Sequence, residues 1–406
     1  MLANPLDYLL IVVATALTAA VTILLARKAA PTLGLLDRPS RRKLHRGTVP
    51  VVGGLGVFLG LAAGSTVVLL TLQDAFPAVE RSFVCLAGAA TLLLVAGILD
   101  DRLDLTPHVK LAVQTVAALV AVAGGVVLRE VSLPGWGTLE LGWFAYPLTL
   151  FWLLGMVNAV NMIDGLDGLA AGILGLLAAA LFGVGVSNGN MILVLPSLLV
   201  LGSLVGFLPF NLSRAKAFLG DGGSMLLGFL LGGAAVLGSL SQGDSEPMIV
   251  CLAFMAVPIL DVATTILRRA RARRSIFRPD VGHVHHRLQL LGFTPGMTVL
   301  VILGATLFSG SLGVALVSGA PVPALLVAAL AGGFILREVR RQLSRKRESG
   351  DATEVAEVAL YLLAARTTPS LAEPQPRVLR GPTPLVVQES EAGVEALERT
   401  AARAAS

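Results

Sequence analysis

Two carboxamides and two carboxylates fall within ten residues at Asn158-Ala-Val-Asn161-Met-Ile-Asp164-Gly-Leu-Asp167-Gly168, in a chain of which only 14% is charged. Apolar runs flank the stretch on both sides. On a continuous helix, a spacing of three would set Asn158, Asn161, Asp164 and Asp167 near one face. A glycine after each aspartate lets a second backbone or a ligand come close. Carboxylates at the end of a membrane helix are costly unless they meet water, a metal or a substrate. A helix cap asks for one Asn or Asp, not four. The stretch therefore reads as part of a site.

Three further stretches carry chemistry. Asp100-Asp101-Arg-Leu-Asp104 concentrates negative charge just before Lys110, which invites Mg²⁺, a lysine partner or a raised pKa. Asp221 lies between Gly220 and Gly222 ahead of Ser224 and an apolar run. There it can cap the next helix, or offer a carboxylate beside helix N-terminal amides to a metal–diphosphate. His283-Val-His285-His286-Arg287 holds three of the five histidines and follows a run of arginines from Arg268. No cysteine or neighbouring glutamate supports a transition-metal site there. Beside that much positive charge the segment reads as an anion-binding loop whose donors suit phosphates. Nucleic acid is excluded as the anion, because no soluble basic fold or aromatic platform accompanies the charge.

The elements that must position these groups are membrane helices. Of the 406 residues 55% are hydrophobic, and apolar runs long enough to cross a ~30 Å hydrocarbon core recur along most of the chain. They are continuous rather than alternating, which excludes a membrane barrel. The reading is an all-α polytopic helical bundle with about eleven transmembrane helices, near 7–26, 51–72, 83–99, 108–128, 143–160, 168–187, 191–209, 222–240, 247–267, 298–318 and 321–338. The first run precedes its basic residues Arg27 and Lys28, so it is a membrane helix with its N-terminus outside, not a secretion signal. Alternating sides then leaves Arg81 and Arg129 outside and the other 29 of the 31 Lys and Arg inside. That split follows the positive-inside rule and puts the C-terminus in the cytoplasm. It also puts all four polar stretches on the cytoplasmic face.

The basic loop from Asp37 to Arg46, which leads into Gly53-Gly54, mainly sets topology and attracts anionic lipid. Pro134 to Gly137 and Trp143 read as an outer turn with interfacial aromatics. Cys85 and Cys251 both lie in apolar runs and read as packed thiols. Residues 1–338 form the membrane domain. Residues 339–406 are a cytoplasmic tail, partly helical or disordered, with no legible chemistry.

In order along residues 1–338, these motifs resemble the polyprenyl-phosphate N-acetylhexosamine-1-phosphate transferases, and within them the bacterial WecA-type branch. The resemblance rests on Arg42-Lys43-Leu44-His45 with Gly53-Gly54, Asp100-Asp101-x-x-Asp104 with Lys110, Asn158 to Gly168, Pro209-Phe-Asn211 with Gly220-Asp221-x-Gly-Ser224, and His283-x-His-His-Arg287. It implies transfer of N-acetylglucosamine-1-phosphate from UDP-N-acetylglucosamine to undecaprenyl phosphate, with release of UMP, at the cytoplasmic face of the inner membrane. It also implies Mg²⁺ (with Mn²⁺ as an alternative), a lipid groove, and a homodimer as an unsurprising state. Carried over by motif, Asp221 is the metal ligand with Asn161 beside it. Lys110, Asn158, His283, His285, His286 and Arg287 contact substrate or phosphate. Asp100 and Asp101 orient Lys110 or the attacking phosphate, and Asp164 and Asp167 shape the nucleotide and metal site. The same chemistry on another UDP-N-acetylhexosamine or on a muramyl-pentapeptide nucleotide is the nearest alternative. An intramembrane prenyltransferase would not need the Gly-Asp-Gly-Gly-Ser and histidine loops. A transporter would carry its acids at mid-membrane rather than at the helix ends.

Overall fold

The structure, a computed structural model, describes residues 4–37, 47–71, 80–133, 137–212, 214–273, 282–318 and 321–348. Most of the basic first loop (38–46), the tip of the outer loop (134–136), the arginine-rich segment 274–281 and the tail 349–406 lie outside the described residues. The chain is a bundle of helices, in agreement with the reading from hydropathy. With no water to satisfy backbone groups in hydrocarbon, each apolar run closes its own hydrogen bonds as a helix.

In chain order the first half comprises α1 (Pro5–Leu33), α2 (Gly53–Thr71), α3 (Glu80–Leu103), α4 (Pro107–Ala123), α5 (Ala145–Ile163) and α6 (Leu169–Ser187). The second half comprises α7 (Met191–Asn211), α8 (Gly220–Gln242), α9 (Glu246–Phe254), α10 (Ala256–Arg271), α11 (Val284–Leu290), α12 (Pro295–Val317) and α13 (Pro321–Glu348). Among the described residues nine helices are long and apolar enough to cross a membrane, or ten if α9 and α10 count as one bent span.

The remaining expected span, 108–128, is α4. Its helix stops at Ala123, where Gly124 and Gly125 follow and Gly125 takes φ +104. Val126 to Leu128 continue as buried backbone, with the Leu128 N–H donating to Thr149 Oγ1 at 2.9 Å. Non-helical backbone at membrane depth is tolerated where protein surrounds it in this way.

The axis of the bundle is α8. Every residue from Gly222 to Ser239 except Leu230 is buried, as expected for a helix that is apolar all round. It packs against α2, α3, α5, α7 and α9. Outside that ring, α1 and α13 present leucines such as Leu9, Leu17, Leu326 and Leu330 outward, which suits contact with lipid chains.

Two local features depart from a plain ladder of spans. The expected span 247–267 is broken, with α9 and α10 meeting at 65°. Pro258 lies in the first turn of α10. It has no N–H for the Phe254 carbonyl, and its ring crowds that carbonyl, which favours a bend just before it. The outer loop is more than a turn. Its strands β3 (Glu130–Leu133) and β4 (Gly137–Glu140) form an antiparallel hairpin, with Val131 opposite Leu139, after a short pair formed by β1 (Leu36–Asp37) and β2 (Val49–Pro50). Ser132 N–H donates to Ser245 Oγ at 2.7 Å and ties the hairpin to the α8–α9 turn. Trp143 and Phe144 beside it are exposed, as interfacial aromatics should be.

Candidate active site

Glycines decide how closely the site-bearing helices approach. A β-carbon on Gly97 of α3 would stand 2.2 Å from the backbone nitrogen of Gly222 on α8. One on Gly54 of α2 would stand 2.5 Å from the nitrogen of Gly223. Small residues at such crossings let helix backbones touch, as in membrane helix pairs generally. Residues 50–54 also pair with the segment that enters α8. Phe218 N–H donates to Pro50 O, Gly53 N–H to Phe218 O and Gly54 N–H to Leu219 O, each at 2.9 Å. Gly220 then turns the chain at φ +76, a conformation open to glycine, and delivers Asp221 into the first turn of α8.

At that point the carboxylates of α3 meet α8. Asp101 Oδ1 accepts the Asp221 N–H at 3.1 Å, so a carboxyl oxygen satisfies one of the open N–H groups at the start of α8. Asp100 accepts the Leu105 N–H at 2.8 Å and forms an ion pair with the Lys110 ammonium. Asp104 ends α3 with φ +53, and the turn after it sets Lys110 in the first turns of α4. Lys110 Nζ reaches across to Asp221 Oδ2 at 2.9 Å. The expected lysine partner of the aspartate pair is therefore present, shared between Asp100 and Asp221.

The Asn158–Gly168 stretch does not share one helical face. Helix α5 stops at Ile163, Asp164 is its C-terminal cap, and Gly168 turns at φ +76 into α6. Asn161 stays on the helix and donates to Ser224 Oγ at 3.0 Å, beside Asp221, whose carboxylate it also meets. Asn158 lies a turn away, and its amide N–H groups go to Gln114 Oε1 and to Leu154 O, both at 2.8 Å. It joins α5 to α4. Asp167 accepts the Ala215 N–H at 2.9 Å. Asn211 accepts the Gly168 N–H at 2.8 Å and donates to Ala217 O at 3.1 Å. Together these clamp the α5–α6 turn to the segment that leads into Asp221.

Loss of water, then the charges of Asp221, Asp101 and Asp167, push the Asp164 carboxyl up to about 8. Between the ordinary value of 3.8 and about 8 the folded protein holds a proton there that the unfolded chain has released. Stability from this group is thus lost as pH rises through that window. Asp164→Asn is expected to raise the melting temperature of the detergent-solubilised protein at pH 8 in a chelator, and to lower turnover. An unchanged or lower melting temperature would refute the crowding of charge on Asp164.

The histidine turn closes the other side. His283 is the residue before α11, and its rings cluster with those of His285 and His286, with centroids 4.2–6.5 Å apart. A β-carbon on Gly165 would stand 3.2 Å from His285 Nε2, so the bare glycine between Asp164 and Asp167 is where the histidine turn docks. Burial, then the neighbouring His286 and His283 rings, bring His285 down to about 4. It is neutral at physiological pH and buried. Arg287 Nε donates back to Gly282 O at 2.7 Å, so one of its donors is used to shape the turn.

Two residues of the site escaped the sequence reading. Asp261 on α10 accepts from His283 Nδ1 and from the Val284 N–H, both at 2.9 Å. Gln114 on α4 supports Asn158. The available signal was the same for both: a lone polar residue inside an apolar membrane run, which is costly without a partner.

Among the described residues no three His, Cys, Asp or Glu side chains are grouped to hold a metal by themselves. The donors beside one another, Asp221 and Asn161, suit Mg²⁺, which takes one or two carboxylates and completes its shell with water and phosphate oxygens. The unrelieved repulsion felt at Asp164 is what added positive charge would lower.

A family model described as glycosyl transferase family 4 matches residues 83–239. That range includes the aspartate pair, Lys110, the Asn158–Gly168 stretch and Asp221, and stops short of the histidine turn. The chain is 35% identical over 289 residues to a probable undecaprenyl-phosphate N-acetylglucosaminyl 1-phosphate transferase of Bacillus subtilis, covering 70% of this chain and 78% of that protein. It is 38% identical over 305 residues to the decaprenyl-phosphate N-acetylglucosaminephosphotransferase of Mycobacterium tuberculosis, with 68% and 74% covered. The undecaprenyl-phosphate alpha-N-acetylglucosaminyl 1-phosphate transferase of Salmonella typhimurium is 31% identical over 357 residues, with 80% and 93% covered.

Proposed function

The chain belongs to glycosyl transferase family 4, and from that premise we propose that it transfers N-acetylglucosamine-1-phosphate from UDP-N-acetylglucosamine to undecaprenyl phosphate. The products are the lipid-diphosphate sugar and UMP, and the step would open the synthesis of a cell-envelope polysaccharide. The observation that carries the reading is the Lys110 ammonium held between Asp100 and Asp221, with the segment leading into Asp221 clamped to the α5–α6 turn on which His285 docks. The names of the relatives support the sugar and the polyprenyl phosphate.

The chemistry exchanges one diphosphate for another, so the protein chiefly has to overcome repulsion between two anionic phosphates. Lys110 supplies a cation at the acidic rim of the site, and Asp100 and Asp101 hold it and the start of α8 in place. His283 and His286 donate to phosphate oxygens from the opposite side. Asp221, with Asn161 beside it, is where Mg²⁺ would be held, and its charge when bound would offset that of the diphosphate oxygens. A lipid phosphate monoester has a second pKa of about 6 and is mostly a dianion at neutral pH. It therefore needs little help from a base, and direct in-line attack is favoured over a covalent aspartyl-phosphate. Arg268, Arg269 and Arg271 end α10 beside the histidine turn, and by the positive-inside rule this end of the bundle is read as facing the cytoplasm in the inner membrane.

The test is release of UMP by the purified protein with undecaprenyl phosphate and a panel of UDP-sugars. UDP-N-acetylglucosamine is expected to be the best donor. Release from the muramyl-pentapeptide nucleotide alone, or turnover of isopentenyl diphosphate instead, would overturn the assignment.

A further inference from the structure

We infer that Asp261 is a positioning residue for His283, fixing which imidazole nitrogen faces the sugar-nucleotide diphosphate. The inference rests on the reading of the histidine turn given above. Asp261 lies in the apolar middle of α10 and is 8% exposed. A carboxylate there is costly unless every lone pair it buries finds a donor. Its two donors are His283 Nδ1 and the Val284 N–H, each at 2.9 Å.

An ionised carboxylate only accepts, so Nδ1 must carry a proton. That leaves Nε2 as the nitrogen free to meet a ligand, in one tautomer and one ring orientation. When Nε2 is also protonated, the Asp261 charge offsets the imidazolium, and the ring becomes a donor aimed at phosphate oxygens. This is the general arrangement in which a carboxylate behind a histidine sets what the far nitrogen can do.

The rest of the α10 face supports the same turn. Asp261, Thr265 and Arg268 follow a helical stripe. Arg268 donates to Thr265 Oγ1 at 3.3 Å, and a β-carbon on Gly282 would stand 2.5 Å from its Nη2. The 65° break between α9 and α10 directs this stripe at the turn. Among the described residues the charged or titratable groups around His283 are Asp261 and Arg268 from α10 and His285, His286 and Arg287 from α11. The described part of α12 carries none, and the Asp164–Asp167 turn meets His285.

The experiment is a double-mutant cycle with Asp261→Asn and His283→Ala, reading KM for UDP-N-acetylglucosamine and kcat separately at saturating undecaprenyl phosphate. Removing one charge-assisted hydrogen bond corresponds to a rise in KM of about ten- to a hundred-fold. Asp261→Asn alone is expected to raise KM by that factor with a smaller change in kcat. In the His283→Ala background the same substitution is expected to change KM less than about two-fold, because the group it positions is gone. A full Asp261→Asn effect on top of a raised His283→Ala KM overturns the inference while leaving the site reading intact. A wild-type KM in His283→Ala overturns the phosphate role of the turn, and the inference with it. Should Asp261→Asn fail to accumulate, Asp261→Glu carries the same cycle. It keeps the acceptor but displaces it by one carbon, and its effect is likewise expected to vanish in the His283→Ala background.

Discussion

Asp221→Asn is expected to leave a folded protein in the membrane and to lower turnover by about 10²–10³-fold, the usual cost of losing one preorganised electrostatic group in a site. The substitution changes charge and almost nothing else. The backbone of residue 221 still donates to Asp101, and its carbonyl still accepts from Ser224 Oγ at 3.2 Å. Lys110, however, loses the 2.9 Å partner that draws it across to α8 and is left on Asp100 alone. The position proposed for Mg²⁺ loses the carboxylate assigned to it, and an amide oxygen is a much weaker ligand for a hard cation. UMP release at saturating substrates, together with a monodisperse elution profile, measures both halves of the expectation. Near-normal turnover would remove Asp221 from the site.

Gly97→Leu should be more damaging still, because it acts on the fold and the site together. The first carbon of any side chain there would meet the Gly222 nitrogen at 2.2 Å and its Cα at 2.3 Å. Both are backbone atoms, so no rotamer change relieves the clash and α3 must move off α8. Overpacking of this kind costs about 1–3 kcal/mol or more. Asp100 and Asp101 lie one turn further along α3 and would move with it, away from Lys110 and from the start of α8. A shift of about 1 Å between reacting groups is enough for a hundred-fold loss of rate. The matched control is Gly88 on the same helix, where a β-carbon would meet nothing within 4 Å. Gly88→Leu is expected to keep yield and turnover, and Gly97→Leu to lose most of both. Equal behaviour of the two would show that the glycine contact does not set the site.

What could be read from the chain alone was whatever depends on neighbours in sequence. The apolar runs had to be helices because hydrocarbon offers the backbone no other partner. The positions of Asp100, Asp101, Asp221 and the histidines at the ends of those runs marked one end of the bundle as the place of chemistry, since such groups are too costly elsewhere. The association of Lys110 with an aspartate pair was also legible, although which carboxylates would share it was not. Those contacts span 111 residues for Lys110 to Asp221 and 120 for Asp101 to Asp221, and only the glycine seam among α2, α3 and α8 brings them together.

Tertiary structure decided the remainder. It ended α5 at Ile163, so that Asp164 and Asp167 leave the helical face that Asn158 and Asn161 keep, and it turned Asn158 toward Gln114. It packed the two pieces of the ninth span, which Pro258 weakens locally, at an angle that brings Asp261 to His283. In sequence Asp261 is one acid in an apolar run, with nothing nearby to explain it. Its meaning lies in a hydrogen bond to a residue 22 positions away, and a contact of that kind exists only once two helices have been packed at a particular angle. Hydropathy and charge act on each segment separately. The direction of a side chain depends on the surface it is pressed against, and that surface forms only on folding.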